Sequence, residues 1–460
     1  MMNLRQSGFD IPDEILLEIA SCLTDHRDLT RLLLVNKRFH ACLESLTWRS
    51  VSSSIKDPEY DYGGVPHYIV LSNESLPTKK WEWIKAIKLY IDPIDQLPDT
   101  TFDLQKLVEQ CPKIEHIDIT IRLECFELST LGMRLVVLRL HSHGHGDIRM
   151  FLRSYNGLKN ALSNPHLRHV ELASLCGIDD ALRRIAFKER SLSIKHLTII
   201  YWGNDHTSAL CVLLSAIRDL TSLHLEAYNF DDQADEPTEE NVQLSEALEK
   251  HARTLRTVTI STDQCSKIEA TGSIGCRCHN LDFANITALT NFSAPVVSLY
   301  ADQLVEKLPS SLQNLQLQID SHPESRDSFS SRRTQTISLH DAILARRPEQ
   351  LPNLRTLTWW YTTGDVEDWY YLDMDDEELD MEETAMKDAR TIDRTLFTSQ
   401  IDRFAAEGID LRWVEATSVQ DTRFGTWPTV PMWRPVRVSE DVPRISTDDH
   451  RRILERLCRD

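Results

Sequence analysis

Apolar residues recur along most of the chain in one short motif, apolar-x-x-apolar-x-apolar. It occurs in IKAIKL (84–89), IEHIDI (114–119), LVVLRL (135–140), LRHVEL (167–172), IKHLTI (194–199) and LTSLHL (220–225). It returns in LRTVTI (255–260), CHNLDF (278–283), APVVSL (294–299), LQNLQL (312–317) and LRTLTW (354–359). The alternation that ends each motif predicts a strand, and LRWVEA (411–416) predicts a last one. Between the strands lie segments with helical periodicity: FDLQKLVEQC, MFLRSYNGLKNAL, DDALRRIAFKE, TSALCVLLSAIRDL and NVQLSEALEKHA. Pro112 and Pro165 close the first two. In a chain with 41% apolar residues the motif alone often arises by chance. What gives it weight is the recurrence of Ile-, Leu- and Val-rich strands with helices between them.

This order resembles a leucine-rich-repeat array, in which each strand–helix unit exposes an apolar face that only its neighbours can cover. A regular unit is about 20–29 residues long. Here successive motifs start 16 to 42 residues apart, and the usual Asn after the strand is not systematic. The resemblance is therefore to degenerate arrays. The expected fold class is α/β: an irregular leucine-rich-repeat-like solenoid preceded by a small all-α unit. An α/β protein of another wiring is the alternative.

The all-α unit occupies the first fifty residues. Pro12 with Asp13 and Glu14 suits a helix start. Ile15, Leu16, Ile19, Ala20 and Leu23 then form an apolar stripe. Asp28 can cap a second short helix bearing Leu29, Leu32, Leu33 and Val35, and Asn36 a third bearing Phe39, Leu43 and Leu46. Three helices in so short a span are below the size that usually folds alone, so the unit is expected to pack on something else. The stretch FDIPDEILLEIASCLTDHRDLTRLLLVNKRFHACLESLTWRSV resembles an F-box: Ile11-Pro12, Ile15 with Ile19, Asp28-Leu29, Val35 through Phe39, and Trp48 follow the order of that family's anchors. The resemblance covers about a tenth of the chain. It implies docking on a Skp-type adaptor of a cullin–RING ubiquitin ligase, through Ile11, Pro12, Ile15, Ile19, Leu29, Leu33, Val35, Phe39 and Trp48. A plainer reading competes with it: the helices could be only a cap on the apolar end of the array.

The domains expected are a helical adaptor-binding unit (1–50), a linker or cap (51–83), the repeat array (84–363, with a Ser-rich loop at 320–336), an acidic insertion (364–390) and a C-terminal cap (391–460). Residues 365–383 hold eleven acids and no base, a density that usually stays solvated. Acids outnumber bases 71 to 51 over the whole chain, a net charge of −20. That argues against nucleic acid as a partner, since its binding rests on neutralising phosphates, and against attraction to anionic membranes. The first residues show no apolar core of a signal peptide, and no apolar run approaches the about 20 residues of a membrane span. The 10 Cys are expected as reduced thiols in cytoplasm or nucleus.

Candidate chemistry is sparse. His141, His143 and His145 alternate, and Cys276, Cys278 and His279 lie close together, but neither group has the paired spacing of a zinc site. Asp373, Asp375 and Glu377 lack the central Gly of a calcium loop. No phosphate-binding, dinucleotide or nucleophile-elbow motif is present. The reading is no metal, no cofactor and no catalytic residue.

The strand register points instead to a recognition surface. If the motif's apolar positions face inward, His116, Asp118, His169, Glu171, His196, Thr198, Ser222, His224, Glu226, Thr257, Thr259, Gln316, Gln318, Thr358 and Trp360 face out. Among them His169, Glu171, His196, His224, Glu226, Thr358 and Trp360 are the expected target-binding residues. The F-box resemblance thus implies the substrate-recognition subunit of a Skp–cullin–F-box ligase, linked through the adaptor to cullin and RING subunits and binding an unidentified target protein. A non-ligase interaction scaffold is the alternative.

Overall fold

A computed structural model describes residues 12–21, 31–35, 37–47, 50–55, 69–70, 82–91, 111, 113–121, 125–126, 134–142, 151–152, 155–173, 182–202, 207–227, 239–262, 281–295, 305–320, 337–363, 395 and 397–417. The chain divides into two compact units, one of residues 1–200 with 208–219, the other of 201–207 with 220–460.

The first unit opens with helices α1 (Asp13–Ser21) and α2 (Lys37–Thr47). Its strands are β1 (Ser50–Ile55), β2 (Ile69–Val70), β3 (Ala86–Ile91), β4 (His116–Ile121), β5 (Cys125–Phe126), β6 (Val137–Ser142), β7 (Phe151–Leu152), β8 (His169–Ala173) and β9 (His196–Trp202). One sheet runs β2-β1-β3-β4-β6-β8-β9, and β5 pairs with β7 apart from it. Every pairing that is described is parallel. Parallel neighbours require crossovers, one of which holds α3 (Tyr155–Leu162) between β6 and β8; α4 (Thr207–Ala216) follows β9. The segment 51–83, expected as a linker or cap, contributes β1 and β2 to this sheet. Its SVSSSI strand has too few apolar residues to announce itself by periodicity.

The second unit holds β10 (Ser222–Ala227), α5 (Glu239–Glu249), β11 (Thr257–Thr262), β12 (Asn291–Pro295), β13 (Asn314–Asp320), β14 (Thr356–Thr363) and β15 (Asp410–Thr417). Helices also occupy 337–346 and 397–406. The strands again lie in chain order and all pair in parallel. Within each unit the wiring is that of an α/β solenoid.

The motif's three apolar positions go inward as expected. Leu135, Leu138 and Leu140 are buried, as are Leu167, Val170 and Leu172, and Leu220, Leu223 and Leu225. Leu312, Leu315 and Leu317 repeat this, and so do Leu354, Leu357 and Trp359. The helices supply the opposite wall with residues three and four apart: Leu158, Ala161 and Leu162 in α3, Leu244, Ala247 and Leu248 in α5. A backbone pattern accompanies the side-chain one. The N–H groups of Glu115 and His116 both donate to the Lys85 carbonyl, and those of Val136 and Val137 to Glu115. Arg168 and His169 donate likewise to Val136, and Lys195 and His196 to Arg168. In the second unit the acceptors are Thr221, Arg256, Thr290 and Gln313, each taking two donors. These bonds measure 2.7 to 3.2 Å. A carbonyl has two lone pairs, so one oxygen can start the next strand by itself.

One strand lies elsewhere than expected. The motif predicts strands at CHNLDF (278–283) and APVVSL (294–299); the structure has β12, which starts between them and ends on the first two residues of the second, with Leu289, Phe292 and Ala294 buried. Leu281 and Phe283 are buried too, but in turns: Ile286 N–H donates to the Phe283 carbonyl and Leu289 N–H to that of Ile286. A tight turn buries residues at spacings that mimic the motif. Only the first two residues of APVVSL are in a strand, and its remainder lies outside the described residues.

Candidate functional site

Two regions hold the residues singled out by the sequence, the helical head and the strand faces opposite the motif's apolar side; on the latter Gln316, expected to face out, is buried beside the buried Ser293 of the neighbouring strand. In the head, Leu16 N–H donates to the Pro12 carbonyl at 3.1 Å, closing the first turn of α1. Leu16, Ala20 and Leu43 are buried and form the seam between α1 and α2. Asp13 ties the two helices together from outside, accepting from Arg38 Nε at 2.8 Å. Hydrogen bonds from Arg38 and the Cys42 thiol hold the Asp13 carboxyl below the usual carboxylate range. Desolvation, and then the carboxylate of Asp13, push the Cys42 thiol up.

The apolar stripe of α1 is divided in two. Leu16 and Ala20 turn inward, while Ile15 and Ile19, each one residue earlier, remain 45% and 49% exposed. Leu34 and Val35 are 80% and 59% exposed. Pro12 is exposed, and Leu33 and Phe39 are half-buried. Ile11, Leu29 and Trp48 lie outside the described residues. Branched apolar side chains at two sites of one small unit thus remain in water.

The F-box-like family model matches residues 9–54. The matched segment takes in α1, α2 and most of β1. F-box domains generally bind Skp-type adaptors. No curated protein sequence matches the chain. The exposed apolar residues of the F-box-like segment are of the kind that buried interface cores use.

The strand faces carry two rows in each unit. In the first, the parallel register aligns His116, Val137, His169 and His196, and beside them Asp118, Arg139, Glu171 and Thr198. The rings of His169 and His196 stack with centroids 4.3 Å apart and planes 4° from parallel. Desolvation, with repulsion from His196, His116 and Arg139, pushes the His169 imidazole down to about 4. Desolvation, and then the positive charge of Lys195, lowers His196 as well. Arg139 stands between two carboxylates, with Nε 3.1 Å from Glu171 and Nη1 3.9 Å from Asp118. His169, Glu171 and His196, expected as target-binding residues, therefore do come together on one face.

In the second unit one row runs Thr257, Asn291, Asn314, Thr356 and Asp410, the next Thr259, Ser293, Gln316, Thr358 and Arg412. His224 pairs in register with Thr259 and so begins the latter row. Asn314 Nδ2 donates to Asn291 Oδ1 at 2.7 Å, and Asn291 Nδ2 to Thr257 Oγ1 at 3.4 Å. His224 and Thr358 are half-buried. Glu226 and Trp360 are strand residues whose side chains fall outside those described. Sequence reasoning missed Arg139, Asn291 and Asn314. The signal for Asn314 is its place immediately before the motif's second apolar residue; Asn291 was hidden by the displaced strand.

Among the described residues no group of three or more His, Cys, Asp or Glu could hold a metal ion, and no helix is long and apolar enough to cross a membrane. His143, His145, Cys276, Cys278, His279 and the acidic run 365–383 lie outside the described residues.

Proposed function

We propose that this chain is the substrate-recognition subunit of a Skp–cullin–F-box ubiquitin ligase. The F-box-like head docks the adaptor, and the adaptor links to cullin and RING subunits. The strands form a degenerate leucine-rich-repeat-like array whose polar faces hold a target protein. The chain makes no bonds itself. It raises the effective concentration of the target near the conjugating enzyme and orients it. The cytoplasm or the nucleus suits such a role, and the thiols of Cys42 and Cys111 are compatible with a reducing compartment.

The observation that carries this reading is the exposure of Ile15, Ile19 and Val35 within the segment that the F-box-like model matches. A helical cap would turn such residues toward its own array. The test is co-purification of a Skp-type adaptor with the full chain, and its loss when Pro12 and Ile15 are both changed to Ala. A folded double variant that still holds the adaptor would sink the proposal. Adaptor without cullin, and no enrichment of ubiquitylated partners under proteasome inhibition, would favour the non-ligase scaffold instead.

A further inference from the structure

Two helices of the second unit, 337–346 and 397–406, enclose a histidine that the recognition reading does not use. His340, in the helix 337–346, is 1% exposed. Its ring meets Trp359 of β14 edge-on, centroids 5.1 Å apart at 78°, and Phe404 of the helix 397–406 at 5.0 Å and 76°. Neither ring nitrogen has a hydrogen-bond partner among the described residues, and Trp359 Nε1 has none. Imidazole is the side chain whose charge changes in the mildly acidic range, and a charge gained here would have no water and no acceptor.

We propose that His340 is an acid-sensitive latch that holds one repeat, the helix 397–406 with β15, on the rest of the second unit. While the ring is neutral it packs as one more aromatic side chain between Trp359 and Phe404. Once protonated it favours the state in which the helix 397–406 has lifted away and water reaches both nitrogens. The charged groups facing the ring are Arg403, from the helix above, and Asp341, from its own helix. They are paired to each other, Arg403 Nη2 to Asp341 Oδ1 at 2.8 Å, across the same seam. Arg403 opposes the protonated ring and Asp341 favours it. β14 contributes the apolar Leu357 and Trp359 to the core here. Among the described strands β15 pairs with β14 alone, so opening this repeat breaks no other described strand pairing.

Burial, then Arg403, depress the closed-state imidazole from 6.5 to about 4. The closed state therefore binds fewer protons than the open one. The latch is fully held above about pH 6.5 and weakens as pH falls toward 4. Between pH 7 and pH 5 the opening equilibrium of this repeat should rise about 20-fold.

The experiment is hydrogen exchange by mass spectrometry on the full chain at both pH values, corrected for intrinsic rates. Exchange should accelerate in 397–406 and 410–417 by that factor while 257–262 and 314–320 hold. His340→Leu should abolish the difference; if that variant fails to fold, His340→Gln keeps polar volume without titrating in this range. Arg403→Gln leaves the ring in place, raises its closed-state pKa, and should shrink the response. Three results would overturn the latch: the same acid response in a folded His340 variant, an unchanged response in Arg403→Gln, or an acid response spread evenly over the unit.

Discussion

The helical head and the strand arrays treat the same side chains in opposite ways. In β6, β8, β10, β13 and β14 each apolar residue of the motif is inside. In α1 two apolar stripes run side by side, and only the one formed by Leu16 and Ala20 is inside. The head holds Ile15, Leu17, Ile19, Leu34 and Val35 as exposed large apolar residues, whereas Val212, Val242 and Ile401 are single residues on three separate helices. Isolated exposed aliphatics are normal, whereas a group of them in one small unit is the kind of patch that the proposed adaptor would cover. Periodicity reports both stripes as one, and only the fold tells which belongs to the chain's own core.

Paired substitutions sharpen this contrast. The largest effect is expected in the arrays: Leu223→Ala, at a fully buried site, should destabilise the chain by about 2–5 kcal/mol in chemical denaturation. Leu16→Ala in the inner stripe of α1 should destabilise the head by about 2–5 kcal/mol. Its neighbour Ile19→Ala should shift stability by no more than about 0.5 kcal/mol, yet weaken adaptor binding about tenfold in a titration. Equal stability losses at Leu16 and Ile19, with adaptor binding intact, would erase the distinction between the two stripes. Smaller again is Arg139→Ala, which removes two partly exposed ion pairs and should destabilise by about 1 kcal/mol or less, an effect reduced by salt. A target that docks on the first unit's face would respond to Arg139→Ala far more than stability does. The smallest effect is expected for Arg38→Ala, whose exposed pair with Asp13 should give a slight loss of head stability, disappearing as pH falls and the carboxyl is protonated.

How far the sequence disclosed this molecule depends on what each signal measures. The apolar motif measures burial, so it located β6, β8, β10, β11 and β13 well and failed at β12, where turns bury Leu281 and Phe283 at similar spacing. β1 was missed because its serines carry no apolar alternation; its strand character comes from pairing with β3. The outward rows followed from alternation alone, which is why His169, Glu171 and His196 were named together. The stacking of the two histidines and the bridging by Arg139 depend on register between strand residues 27 and 32 positions apart, which no single stretch encodes. The F-box anchors were legible as an ordered set, but the division of α1 into covered and open stripes was not. His340 escaped notice because its neighbours Trp359 and Phe404 come from distant parts of the chain.

The carbonyl that takes two donors at the start of eight of the described strands has an evolutionary corollary. It indexes each of those strands to its predecessor from one end, whatever path the chain took to get there. Connectors can then lengthen or shorten by a dozen residues without shifting the index, and doubling a connector adds only about 0.6 kcal/mol of closure entropy. Such a scaffold can gain, lose and reshape its connecting segments freely, so inserting a reporter tag between strands is a mild perturbation, while deleting one residue inside a strand is a severe one.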